Sequence, residues 1–375
     1  LSEFCSRNLE LLARRITGNA GKAGEAYITH GRRQYFGLFR AAIGAGLLVA
    51  IMAFTKLAVA PEQALPGKAL LYSGIYVSGF VLMSIFHFAL ATKQPAMTAS
   101  TLASSLQADR APQRLANLGE LMIRTFRSQF IALAGNFAMA IPLPLLLLLA
   151  HAALGYGAYL DQDKAEALIA QVDPLAWKTW LWGAITGLWL FLCGLISGYY
   201  DNRAVYDRIP QRIGQLRRLR RVLGPERTAR FITWLENHFG AIVGSVAFGL
   251  LLACTGIVGK LIGLPIDTLH VTFSTANTVF ALFTVPEQIS AGFLVQIIAG
   301  IFLIGALNLG VSFGLALWVA LRSQQARIGG AGELMAYLLR RLLARPQDFL
   351  WPPQDETSSE SGLAEPADHP GPNAN

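Results

Sequence analysis

The sequence predicts an all-α fold: a polytopic transmembrane helical bundle with about six spans, one re-entrant or interfacial segment and cytoplasmic amphipathic helices. Only 14% of the residues are charged and 53% are hydrophobic, too few charges to cover the surface of a soluble chain of 375 residues. The apolar residues gather into runs of about twenty, the length that a helix needs to cross a hydrocarbon core of about 30 Å. The basic residues lie in blocks between alternate runs, as expected for loops on one side of a membrane.

Six apolar runs are long enough to be membrane-spanning helices. They are Ala41 to Ala60, Ala69 to Ala91, Phe130 to Leu154, Leu181 to Tyr199, Phe239 to Val258 and Ala291 to Leu321. The third run contains Pro142 and Pro144, which lack an amide hydrogen and should kink the helix. The fourth run is flanked by tryptophan and tyrosine, which favour the two membrane interfaces.

The distribution of lysine and arginine predicts the orientation of the spans. Of the 31 basic residues, seven lie in residues 1–40, five in 92–129, nine in 201–238 and five in 322–350. The remaining five lie in or beside the alternate connections. Because basic loops stay on the cytoplasmic side, we expect both termini to be cytoplasmic.

The segment from Leu264 to Pro286 is apolar enough to cross the membrane, but it is rich in threonine and serine. A crossing here would place the arginines of residues 322–345 on the outer side, against the charge pattern. We therefore predict that this segment turns back inside the membrane or lies in the interface. Irregular backbone at membrane depth needs protein or a wet cavity around it, so we expect a cavity beside the segment.

The sequence also predicts how the chain is divided. The divisions are a basic cytoplasmic segment at 1–40, a transmembrane domain at 41–321 with cytoplasmic loops at 92–129 and 201–238, a basic amphipathic helix at 322–350 and a disordered tail at 351–375. Helical spacing of apolar residues predicts loop helices at Ala111 to Ser128 and Pro225 to Asn237. The helix at 332–345 should lie along the membrane surface. The chain starts without methionine, and we expect further sequence ahead of Leu1.

No internal repeat is evident in the sequence, which does not favour a transporter built from inverted repeats. The three cysteines, Cys5, Cys193 and Cys254, are far apart, and no metal-ligand spacing occurs. We therefore expect neither a metal ion nor a cofactor.

Short segments spread over nearly the whole chain form a recognisable series. They are Thr17-Gly18, Gly24 to Ile28, Ala91 to Thr98, Ser197 to Asn202, Leu223 to Pro225, Gly263 to Asp267, His270 to Thr272 and Asn308 to Leu321. In this series the chain resembles a bacterial membrane protein family named site-specific recombinases, related to a gonococcal gene product. The family often has histidine where this chain has Ala26. The resemblance implies a bacterial inner-membrane protein and, by the family's name, recombination of DNA.

Recombination requires a particular set of side chains. A tyrosine recombinase uses a tyrosine nucleophile, arginines around the scissile phosphate and a histidine, on a soluble domain that wraps DNA. One H-x-x-R match occurs, from His30 to Arg33, in an arginine-rich segment directly before a span. Neither this arrangement nor the α/β domain of a serine recombinase is visible in the sequence. The residues therefore predict no catalytic set, and recombination is the alternative function that the family name supplies.

Polar side chains in the apolar runs are candidates for a site, because they are costly in hydrocarbon and normally face the bundle interior. The predicted polar pocket comprises Asp267, His270, Thr272, Ser274, Asn277 and His87. His87 is open to two interpretations: a hydrogen bond to a neighbouring helix, or a role as a proton relay or substrate contact. Asn136, Gln296 and Asn308 are expected to hydrogen-bond neighbouring helices.

The strongest basic cluster lies in the loop at 201–238. Its members Arg217, Arg218, Arg220 and Arg221 are predicted to contact phosphates, in the first place anionic lipid headgroups at the cytoplasmic face. Nucleic acid is not expected as a partner, because the cluster lacks interleaved aromatic residues and a base-reading motif. Asp201-Asn202-Arg203, at the start of this loop, is open to two interpretations. One is a helix cap with local ion pairs, and the other is a gate or a docking point for a soluble partner.

Three functions remain open. The first is membrane transport or lipid handling through the polar residues around His270 and His87. The second is scaffolding through the loops, and the third is DNA recombination. We expect one of the first two, without an enzymatic activity.

Overall fold

The computed structural model describes residues 28–29, 31–59, 64–93, 111–323 and 331–352. The helices in these ranges are α1 (Arg32–Val59), α2 (Leu65–Ile85), α3 (Ala111–Ala140), α4 (Pro142–Ala153), α5 (Gln162–Ala170), α6 (Trp177–Tyr206), α7 (Ile209–Gly214), α8 (Arg217–Ile262), α9 (Val271–Thr284), α10 (Ala291–Ser323) and α11 (Ala331–Ala344). Short 3-10 turns lie at Pro286–Gln288 and Pro346–Phe349. No strand occurs in the described ranges, and the predicted all-α class is confirmed. The tail after residue 352, most of the N-terminal segment and residues 94–110 of the first loop lie outside them.

Six helical stretches are long and apolar enough to cross a membrane, and they match the six predicted runs. They are α1, α2, α3 with α4, α6, α8 and α10. The break between α3 and α4 falls at Ile141, directly before Pro142, where the sequence predicted a kink. Both loop helices are present, but each continues without interruption into the following span, as the first part of α3 or of α8. Within α8, Gly224 has a φ of 75° and bends the helix.

The six long stretches alternate in direction and form two similar groups. Arg32 of α1 and Arg217 of α8 lie at one end of the bundle, which we call the basic end, and Val59 and Ile262 lie at the far end. α1 packs against α2 and α3, while α6 packs against α8 and α10. α2 and α8 pack against each other and join the two groups.

The segment after α8 enters the bundle and turns back. Gly263 ends α8 in a left-handed conformation, residues 264–270 are not helical, and α9 then packs against α5. α9 has 14 residues. At 1.5 Å per residue it is about 21 Å long, too short for a core of about 30 Å. The segment therefore does not add a seventh crossing.

α11 docks on the first group at the basic end. Leu334 and Leu338 pack against Leu118 of α3. Leu339 and Leu343, on the rest of its apolar face, are exposed. The helix predicted at 332–345 is present, and part of its apolar face packs against protein. The reason is the apolar stripe on the first part of α3, which needs a partner of its own. That its exposed leucines lie along the membrane surface stays a prediction.

Candidate functional site at the centre of the bundle

Asn136 of α3 ties three parts of the first group together. Its fully buried Nδ2 donates to the carbonyl oxygens of Ala42 at 2.8 Å and Ala89 at 3.0 Å. Its Oδ1 accepts the amide hydrogen of Ala91 at 2.9 Å. One side chain thus joins α3 to α1 and holds the link that follows α2.

Asn308 of α10 makes the same three contacts in the second group. Its Nδ2 donates to the carbonyl oxygens of Gly183 in α6 at 2.9 Å and of Leu269 at 3.0 Å. Its Oδ1 accepts the amide hydrogen of Val271 at 3.0 Å. We call Asn136 and Asn308, with these partners, the two asparagine clamps.

The clamps show that α1, α2 and α3 of the first group correspond to α6, α8 and α10 of the second. Each helix of the second group runs in the opposite direction to its counterpart in the first. Gly46 stands four residues after the clamped Ala42 and lies against Asn136; Gly187 stands four residues after Gly183 and lies against Asn308. The expectation of no internal repeat is therefore corrected. The repeat is one of backbone path and hydrogen bonding, and the partners are mostly backbone groups that any residue supplies.

Two non-helical links meet in the centre of the bundle. The first link is residues 86–93, after α2, and the second is residues 264–270, before α9; we call His270 to Thr272 the tip of the second link. His270 caps α9, and its Nδ1 accepts the amide hydrogen of Thr272 at 3.3 Å. The other ring nitrogen lies 3.3 Å from the hydroxyl oxygen of Thr92, in the first link. The Thr272 hydroxyl lies 3.3 Å from Oδ1 of Asn136 and donates to it. The tip of the second link therefore rests on the first clamp.

The structure brings together part of the predicted polar pocket. His270, Thr272 and Ser274 are buried at the tip. Asn277 lies further along α9, half-buried, and its Oδ1 has no partner among the described residues. Asp267 precedes the tip, where it accepts the amide hydrogen of Thr268 at 2.8 Å.

His87 lies apart from this tip, exposed at the basic end of α2. Its Nε2 is 2.7 Å from Nε2 of His238 in α8. Nδ1 of His238 faces the Trp234 carbonyl oxygen at 2.6 Å and must carry a hydrogen, so in the neutral pair His87 donates to His238. This geometry fits the interpretation of His87 as a contact between helices.

Sequence reasoning missed the groups on either side of Thr92. Lys93 was counted with the basic loop, but its side chain turns inward and donates to the Ser245 hydroxyl of α8 at 2.7 Å. Gln129 accepts the amide hydrogen of Thr92 at 3.1 Å, and its Nε2 has no partner among the described residues. The sequence shows that Lys93 follows an apolar run closely, but it does not show that the side chain turns inward, because most lysines at such positions face water.

The basic cluster is exposed at the start of α8. Arg217 and Arg218 line a cavity of about 550 Å³ with Leu216, Leu219 and Val222. Nearby, Arg203 pairs with Asp207 at 2.9 Å, a local ion pair of the kind that one interpretation predicted. Asp201 makes no helix cap; it accepts the amide hydrogen of Gly240 and so joins α6 to α8.

Comparison with known proteins gives a family. The family of site-specific recombinases matches residues 1–352. The chain belongs to this family. No curated protein and no solved structure matches it.

In this site-specific recombinase family member, several segments that carry the family resemblance converge on the clamps. Ala91 to Lys93 lie in the first link, His270 to Thr272 form the tip, and Asn308 is the second clamp. No group of three histidine, cysteine or acidic side chains in the described ranges can hold a metal ion.

Proposed function

We propose that the protein carries a small solute across the bacterial inner membrane by alternating access between its two groups of helices. The observation that supports this is the matching pair of asparagine clamps, which hold two non-helical links in the centre of a helical bundle. Transporters with inverted repeats bind their substrates at such breaks, where unwound backbone offers polar groups. Neither scaffolding nor lipid handling requires this arrangement.

Unpaired polar groups on either side of the tip also support transport. Polar atoms inside a bundle are costly unless they are paired or lie beside water. Gln129 has an unpaired Nε2 toward the basic end, and Asn277 has an unpaired Oδ1 toward the far end, counting partners in the described ranges. A solute or water that enters from either end would satisfy one of them.

The basic end faces the cytoplasm in this proposal, with both termini inside. The support is the concentration of 26 of the 31 basic residues in four blocks between alternate spans. Arg217, Arg218, Arg220 and Arg221 are exposed at that end and would contact anionic lipid headgroups. The loop at 201–238 would be the docking surface for any soluble partner.

Two-sided thiol labelling tests transport. With Cys5, Cys193 and Cys254 replaced by serine, the Thr272→Cys variant is treated with a membrane-impermeant maleimide in right-side-out and in inverted vesicles. We expect labelling from both sides, because alternating access opens the tip to each side in turn.

Two exposed positions are the controls for this experiment. Leu154→Cys, at the far end, and Tyr206→Cys, at the basic end, should each react from one side alone. Labelling of position 272 from one side or from neither, in folded protein, would contradict alternating access.

Site-specific recombination of DNA is the second candidate function, favoured by the family's description and by the exposed arginines of α8. Tyr35 donates its hydroxyl to the Leu350 carbonyl oxygen, whereas Tyr206 is exposed; Tyr27 and His30 lie outside the described residues. A recombination assay in cells tests the candidate. A covalent adduct with DNA that is lost on changing Tyr27, Tyr35 or Tyr206 to Phe would establish it, and unchanged behaviour of all three variants would remove it.

A further inference from the structure

Lys93 places an ammonium group inside the bundle, next to the central tip. Besides its hydrogen bond to Ser245, its Nζ lies 5.9 Å from the ring centre of Phe80. Ser245 and Phe80 are fully buried. An ammonium group has three hydrogens to donate, so two remain for a further acceptor.

No carboxylate in the described ranges pairs with this ammonium group. The ion pairs there join Arg124, Arg203, Arg230 and Arg341 to acidic residues, and Lys93 is in none of them. Asp201, at the basic end of α6, is engaged by the amide hydrogen of Gly240. A charge removed from water without a counter-ion is costly, so a bound acceptor would stabilise this arrangement.

Two further buried polar groups near this place lack a partner among the described residues. The first is Nε2 of Gln129, which carries two hydrogens to donate; the Oε1 of the same side chain accepts the amide hydrogen of Thr92, the residue before Lys93. The buried Ser197 hydroxyl lies against Gly244, beside Ser245, and also lacks a partner among the described residues. The Ser245 hydroxyl is already shared with Ser84, at 2.7 Å. Lys93 and the Nε2 of Gln129 can only donate, whereas the Ser197 hydroxyl can donate or accept.

We infer that the transported solute is a small oxyanion, a carboxylate or a phosphate, that accepts hydrogen bonds from Lys93 and Gln129. The role in transport rests on the proposed function, whereas the binding does not. Hydrogen bonds from a charged donor to an oxyanion are about twice as strong as neutral ones. The phosphate of an anionic lipid offers the same chemistry, so the experiment must separate a soluble anion from a headgroup.

Thermal unfolding of the full chain in neutral detergent tests the site. Tm is measured against rising sodium phosphate, sodium acetate and sodium chloride at constant ionic strength, and separately with phosphatidylglycerol in the micelles. A ligand that binds the folded state raises Tm with its concentration. We expect this for phosphate or acetate but not chloride, with an apparent Kd that Lys93→Met weakens about tenfold or more, as for a lost hydrogen bond to a charged group.

Matched variants make the result specific. Lys260→Met removes an exposed lysine from α8 and should leave the response unchanged, while Lys93→Arg should retain it. Gln129→Glu keeps the shape of the side chain but replaces donors by a negative charge, and should weaken binding even if Lys93→Met does not fold.

Each outcome decides a separate question. An equal response in wild type, Lys93→Met and Gln129→Glu, or no response to any oxyanion, would overturn the inference. A response that depends on Lys93 and occurs with phosphatidylglycerol alone supports the oxyanion site and assigns it to a lipid instead of a soluble solute. If soluble anions raise Tm but position 272 is labelled from one side alone, the oxyanion site stands and transport is excluded. If position 272 is labelled from both sides but no oxyanion raises Tm, transport stands and the oxyanion site is excluded.

Discussion

Asn136 and Asn308 are the residues on which the centre of the bundle most depends. Each pairs three backbone groups that lie where water does not reach. A buried polar group that loses its partner costs about 1–3 kcal/mol. Two side chains therefore hold both non-helical links in place.

Asn136→Ala and Asn308→Ala should each destabilise the protein by about 2–5 kcal/mol, since each leaves several backbone groups unpaired. Thermal unfolding in detergent measures the effect. Asn237→Ala is the control, because Asn237 is exposed and, among the described residues, its side chain bonds to Thr233 of its own helix alone. A large loss at one clamp with none at the other would show that the two groups of helices are not equivalent.

At this scale the sequence identified residues but not their roles. Asn136, Asn308 and His270 stand out because polar side chains in apolar runs are visible without a structure. Their equivalence is not visible, because the clamped atoms are backbone carbonyls and amides. Gln296 was grouped with the asparagines, but its Nε2 donates to Asp173, a residue of the connection before α6, at 3.0 Å.

Contacts between α1 and α3 require a glycine at position 46. A β-carbon there would overlap the carbonyl oxygen of Asn136, whereas one at Gly37 in the same helix would meet open space. Gly46→Ala should therefore destabilise the protein by about 1–3 kcal/mol, the cost of overpacking. Gly37→Ala should be neutral or stabilising, since alanine favours helix. Thermal unfolding of the pair measures the difference, and equal effects would mean that α1 can move aside freely.

The elements were predicted better than their ends. Hydropathy and charge gave the six spans and the segment that turns back, because lipid and water impose both patterns on the sequence. The sequence did not predict that each loop helix is continuous with the span after it, in α3 and in α8. No proline stands near Gln129 or His238, so nothing stops the helix where the predicted surroundings change from water to lipid.

The orientation of the whole molecule can be tested with reporter fusions. Fusions after Ala60 and near Lys164 should report the outer side, and fusions near Asp109, Gln215 and Gln347 the cytoplasm, because four basic blocks occupy alternate connections. Alkaline phosphatase and a fluorescent protein provide opposite readouts at each position. An outer-side signal at Gln347 together with a cytoplasmic signal at Asp109 would require an odd number of crossings between them, where the six-span topology has four, and would contradict it.

The docking of the last described residues on the first span has a consequence for biogenesis. Tyr35 of α1 is buried beneath Trp351, and Arg127 of α3 donates to the Asp348 carbonyl oxygen at 3.2 Å. Residues 346–351 leave the ribosome after all six spans. The first of the six described spans to be synthesised is thus completed by the last described residues. Insertion of these spans and final assembly of the bundle are therefore separate events in time. A nascent chain arrested before residue 346 holds all six described spans while the basic end of α1 is still uncovered.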